Sequence, residues 1–141
     1  MSLEPNCWAV VQEEASGCGI AACANLARIS YAEAKELANS LGIYAEDKTL
    51  WSDTSYVRQL LSALNISVSD KQTDFVSWDN LPDRALIALK WHEINGEPFW
   101  HWAVFRRDDN GAVVIDSARR LKSPIRADFG RMKPKWFLAV S

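Results

Sequence analysis

Cysteine and histidine are scarce in this chain of 141 residues, which has three cysteines, Cys7, Cys18 and Cys23, and two histidines, His92 and His101. An odd cysteine count without paired spacing builds no disulfide framework, and so few histidines complete no structural zinc set. The sequence predicts neither a disulfide scaffold nor a metal site, and no cofactor. No apolar run approaches the ~20 residues of a membrane-spanning helix. The opening Met1-Ser2-Leu3-Glu4-Pro5 lacks the basic and apolar regions of a secretory signal. The expected compartment is therefore the reducing cytoplasm, or export as an effector by a route that leaves no cleaved signal. A charge excess is missing too, with 16 Lys+Arg against 18 Asp+Glu. A phosphate-binding domain of this size carries a clear basic surplus, so nucleic acid is not an expected partner. Linkers, repeats and low-complexity tracts are absent as well, and residues 1–141 read as one domain.

What is present is a half of helical period followed by a half of strand period. Ile20, Cys23, Leu26 and Ala27 fall on one face of a helix starting at about Gly17 or Cys18, with Ser16 as its candidate cap. Ser30-Tyr31-Ala32-Glu33 is a capping-box pattern for a second helix running to Leu41 and ending at Gly42. Ser52 or Asp53 can cap a third, Thr54 to Leu64, with Val57, Leu60, Leu61 and Leu64 as its buried stripe.

After these helices, Ala85 to Ile94 and Glu97 to Phe105 flank Asn95-Gly96, the dipeptide of a tight type I′ hairpin. Ala112 to Ser117 and Lys135 to Val140 predict two further strands, and Phe75 to Trp78 a short one at the edge. Helices first and an antiparallel meander after them predict an α+β fold. A tight hairpin sets Trp91 opposite Trp100 and Leu89 opposite Trp102, on the face away from His101. That aromatic face reads as core, or as a docking surface for a protein partner or second subunit.

Four residues carry potential chemistry. A thiol attacks as thiolate, and the free N–H groups and dipole at a helix start favour negative charge there. Cys18 lies at such a start, and Gly17 and Gly19 beside it leave room for a substrate backbone. His101, in the strand run His-Trp-Ala-Val-Phe, can serve as general base and acid. Asp116, ending Val-Val-Ile-Asp, can orient the imidazole, and the Gln12 amide can donate to an oxyanion. Register limits the pair: a turn centred on Asp108-Asp109 sets Asp116 directly opposite His101, whereas one at Asn110-Gly111 leaves them about 13 Å apart. The expected turn is therefore the earlier one, or a longer loop including Gly111 with a compensating bulge. His92, near the hairpin turn, is the alternative base, and Arg119, Arg120, Lys122 and Arg126 read as a solvated basic loop or a grip on an acidic substrate.

The run Gln12-Glu-Glu-Ala-Ser-Gly-Cys18-Gly19-Ile-Ala-Ala resembles the opening motif of the bacteriocin-processing, double-glycine-leader cysteine peptidases, a papain-like family. His101-Trp-Ala-Val-Phe and Asp116 are similar to that family's histidine and aspartate blocks in order and spacing. The resemblance implies a papain-like domain with N-terminal helices packed on a C-terminal antiparallel sheet. It makes Cys18 the nucleophile, His101 the base, Asp116 the orienting carboxylate and Gln12 the oxyanion residue, acting on a peptide or protein substrate. The chain departs from the family in having Gly17 before the cysteine and Ser117 after the aspartate, and in lacking the membrane segments of the exporters that leader peptidases are usually fused to. The expected function is a thiol hydrolase working through an acyl-enzyme. The alternatives are an amidase or acyltransferase of the same fold, or a non-catalytic peptide-binding module.

Overall fold

The structure, a computed structural model, describes residues 17–45, 47, 54–116 and 125–140. Three helices come first: α1 (Cys18–Ala27), α2 (Tyr31–Ser40) and α3 (Ser55–Ala63). Strands β1 (Thr73–Asp74), β2 (Arg84–Ile94), β3 (Glu97–Asp108), β4 (Gly111–Ile115), β5 (Ile125–Arg126) and β6 (Trp136–Ala139) follow. They form one sheet in the order β1-β6-β2-β3-β4-β5, and every pairing is antiparallel. This is the α+β class that the sequence predicts.

Helix α1 is made of small and aliphatic residues and is covered on all sides rather than along one stripe. Every residue from Cys18 to Leu26 is buried, and Ala27, expected in the buried stripe, is only half-buried. Its surroundings explain this, since it packs on β3 and also against α2 and α3. Gly19 permits the third contact. A Cβ there would overlap the Tyr56 ring and hydroxyl from α3, so the missing side chain is filled by Tyr56. The room that the sequence reading reserves for a substrate beside Gly19 is thus occupied by the protein itself.

The cap of α2 forms as predicted: Glu33 N–H donates to Ser30 Oγ and Ser30 N–H to Glu33 Oε1, each at 3.1 Å. Its end also conforms, with Gly42 at φ 83° and the Ile43 N–H bonded to Ala38 O. In α3, Val57, Leu60 and Leu61 are buried while Leu64, just past the helix end, is half-buried. The proposed caps Ser16, Ser52 and Asp53 lie outside the described residues.

The Asn95-Gly96 turn forms with φ 53° and 84°, the left-handed pair that a type I′ hairpin requires. Pairing follows it through His92↔Phe99 and then slips by one residue, because Lys90 and Trp91 together face one position of β3. Lys90 takes φ 54° at this bulge. Leu89 therefore pairs with His101, and Ala88 with Trp102, in place of the predicted Leu89–Trp102 pair. The predicted strand Phe75 to Trp78 is also displaced. The edge strand is Thr73–Asp74, and Trp78 opens a 3₁₀ turn whose ring packs on Phe75, Phe105 and Phe129.

Alternation along β2, β3 and β6 divides the core between the two sheet faces. Leu86, Ala88, Trp102, Val104 and Leu138 join the helices in one cluster; Ala85, Ile87, Leu89, Phe105 and Phe137 form the other. Trp100, Trp102 and Trp136 meet edge to face, with ring centroids 5.0 to 5.7 Å apart. Trp102 is 1% exposed and Trp136 4%, and the half-buried Trp100 packs against them, so these rings belong to the core. Among the described residues no helix is long and apolar enough to cross a membrane.

The packing at Gly19 is directly testable. Gly19→Ala should lower the unfolding free energy by about 1–3 kcal/mol, the usual cost of overpacking. Urea denaturation measures this, and an unchanged midpoint would mean that Tyr56 moves aside freely.

Candidate active site

Backbone geometry brings one end of a helix and three strands together. Cys18 is the first residue of α1, preceded by Gly17, which has no side chain to occupy the unpaired N–H groups of the first turn. The first α-helical bond is Ala21 N–H to Gly17 O, and no acidic residue sits in the turn. His101 lies in β3, Asp116 directly follows β4 and Arg126 is the last residue of β5. Val104 pairs with Ile115 and Val114 with Arg126, so His101, Asp116 and Arg126 share strand parity and one side.

The loop between β3 and β4 sets how far Asp116 must reach. Asp108 pairs with Gly111, so the turn residues are Asp109 and Asn110, one position later than the turn that would set Asp116 directly opposite His101. Asn110 N–H donates to Asp108 Oδ1 at 2.8 Å, and Gly111 takes φ 117°. This is a two-residue turn with Gly111 in the left-handed region, and the pairing beyond it is regular, without the longer loop or compensating bulge. Continuing the register would set Asp116 opposite Ala103, diagonal to His101. The strand has ended at Ile115, and the carboxylate closes the diagonal gap: Asp116 Oδ1 lies 2.6 Å from His101 Nε2.

The carboxylate is fully buried, and its second oxygen is also engaged. Arg126 Nη1 donates to Asp116 Oδ2 at 3.0 Å. Arg126 in turn grips Asp128 through two bonds, Nε to Oδ1 at 2.9 Å and Nη2 to Oδ2 at 2.6 Å. That pairing holds the exposed Asp128 carboxyl below its ordinary value. Arg126 is therefore no member of a solvated basic loop. It could have been suspected only from the need of a buried carboxylate for a cation, since β5 has just two residues and no visible period.

With Nε2 committed to Asp116, Nδ1 is the ring nitrogen left for a second partner, and the Cys18 side chain is near enough to raise the proton affinity of His101. Burial alone would favour the neutral ring. The bonds to Asp116 and Cys18 outweigh it, and the His101 pKa is pushed up to about 9. Cys18 is 7% exposed and Cys23 fully covered. Burial, with Cys18 nearby, pushes the Cys23 thiol far up, which leaves it inert.

His92 is not part of this arrangement. Its exposed ring stacks on Phe99 and its Nδ1 lies 2.8 Å from Lys90 O. Gln12, Cys7, Arg119, Arg120 and Lys122 lie outside the described residues. Among the described residues, no cluster of His, Cys, Asp and Glu could hold a metal ion. No family model and no curated protein matches the chain. The likeness to the processing peptidases thus rests on its motifs.

These contacts carry testable consequences. The His101 ring should titrate near pH 9 by NMR, and Asp116→Asn should lower that midpoint, because the imidazolium loses its anionic partner. The raised value also means that His101 contributes stability that is complete below about 6.5 and lost as pH rises through about 9. Separately, Arg126→Ala strands one oxygen of a buried carboxylate, and should cost about 3 kcal/mol in urea denaturation.

Proposed function

We propose that the chain is a papain-like thiol hydrolase that cleaves a peptide or amide bond through an acyl-enzyme on Cys18. The supporting observation is the buried His101–Asp116 pair, with Asp116 Oδ1 2.6 Å from Nε2, beside a Cys18 at the start of α1 that is near enough to raise the His101 pKa. In this reading the Cys18 sulfur, having given its proton to His101, attacks the substrate carbonyl carbon. The carbonyl oxygen becomes an oxyanion facing the N–H groups of the first turn of α1, which the helix's own bonding pattern leaves over and where the helix dipole also favours negative charge. The Gln12 amide is the second donor.

Collapse of this intermediate breaks the C–N bond, and the imidazolium gives its proton to the leaving amine. The neutral ring then removes a proton from water, whose oxygen attacks the thioester and releases the acid. Asp116 stays ionised throughout and holds the ring by Nε2–H, so that Nδ1 faces sulfur. An amidase uses the same steps, and an acyltransferase replaces water with another nucleophile.

Alkylation by iodoacetamide with peptide mapping tests the nucleophile. Cys18 should react much faster than Cys7 or Cys23, and His101→Ala should erase the advantage. Equal rates at the three thiols in the unaltered chain would sink the hydrolase reading in favour of a binding module. Gln12→Ala should lower turnover of a peptide ester by about 10²–10³ without changing the urea midpoint. Loss of folding would instead make Gln12 structural.

A further inference from the structure

A cleft of about 370 Å³ opens beside the catalytic group and belongs to none of the steps above. Five cations line it: Lys90, Arg126, Arg131, Lys133 and Lys135. Leu89, Trp91, Met132 and Pro134 supply its apolar surface, and no carboxylate is among the lining residues. Among the described residues, Asp116 and Asp128 contact the lining, and both are engaged by Arg126. Lys90, Arg131, Lys133 and Lys135 are exposed, so their heads face water while the stems border the apolar floor.

The β-bulge builds this cleft. A regular strand sends consecutive side chains to opposite faces, yet Leu89, Lys90 and Trp91 all line it. Lys135 Nζ lies 4.7 Å from the centre of the Trp91 ring, and the Lys135 N–H bonds Ala88 O, which fixes the segment before β6 against β2. Two residues tie the cleft to the site. Leu89 is the cross-strand partner of His101, and Arg126 lines the cleft while holding Asp116.

We infer that this cleft binds an acidic segment of the peptide substrate, seating glutamate or aspartate side chains among the cations while the backbone passes His101. This inference rests on the hydrolase reading for its substrate role. Positive charge is concentrated here in a molecule whose formal net charge is -2. A long polyanion such as nucleic acid would overrun the patch and meet the acidic remainder, whereas a short acidic peptide would not. The apolar floor beside Trp91 and Met132 also suits side chains better than phosphates.

The test uses the full chain with Cys18→Ala, so that binding is read without turnover, against a blocked glutamate-rich peptide and its glutamine isostere. The glutamate peptide should bind about tenfold more tightly at low salt, from several exposed ion pairs acting together, and the difference should shrink as ionic strength rises. Lys133→Glu and Arg131→Glu, both at exposed positions, should each reduce the preference, whereas Lys71→Glu, outside the cleft with the same charge change, should not. Circular dichroism checks that each variant is folded. Equal binding of the two peptides by the parent overturns the inference, as does an equal response to Lys71→Glu or displacement by single-stranded DNA at the same concentration. Alkylation of Cys18 in the unaltered chain separates the two readings. Fast Cys18 labelling with no glutamate preference removes only the acidic specificity. A glutamate preference without fast labelling removes the hydrolase, and with it the substrate role of the cleft.

Discussion

A carboxylate withdrawn entirely from water is costly unless each oxygen finds a partner, and Asp116 is such a group. Its two oxygens are satisfied from two other strands, by His101 of β3 and Arg126 of β5. Neither partner is near in sequence, so the Asp116 carboxylate can be buried with both oxygens satisfied only once β3, β4 and β5 have paired. The same contacts orient the imidazole and raise its affinity for a proton. Assembly of the sheet edge and preparation of the candidate base are thus one event.

The other side of the site depends on close approach. Helix α1 can lie deep between β3 and the outer helices because it carries Gly19, Ala21, Ala22 and Ala24 where larger residues would hold its neighbours away. Tyr56 takes the volume left at Gly19 and covers the first turn from the α3 side. Cys18 is consequently held at the boundary of the core, nearly covered, with its approach to His101 determined by backbone packing. Cys23, one turn and a half deeper, has the same functional group and no access at all.

Irregularities in the sheet shape the surface around this arrangement. The bulge at Lys90 and Trp91 changes the partner of His101 from the residue a regular hairpin would supply to Leu89. It also turns consecutive side chains into one basic, tryptophan-walled cleft. The neighbouring hairpin is regular, and the position of its Asp109-Asn110 turn leaves Asp116 diagonal to His101, a difference that a short side chain makes up.

Local chemistry was legible without coordinates. The Ser30 and Glu33 capping box, the Asn95-Gly96 turn, the helix start at Cys18 and the helix-then-strand order all arise from bonds between residues close in sequence, whose preferences survive in any tertiary setting. The pairing of His101 with Asp116 was also visible as a facing argument, since parity along strands is a property of the backbone. What it left open was decided by packing between distant segments. The bulge that makes Leu89 the partner of His101, Tyr56 filling the space at Gly19, and Arg126 completing Asp116 depend on which strands and helices become neighbours. A two-residue strand such as β5 carries too little pattern to announce itself. A buried charge selects its partner by proximity in space, so tertiary structure alone could make Arg126 part of the site.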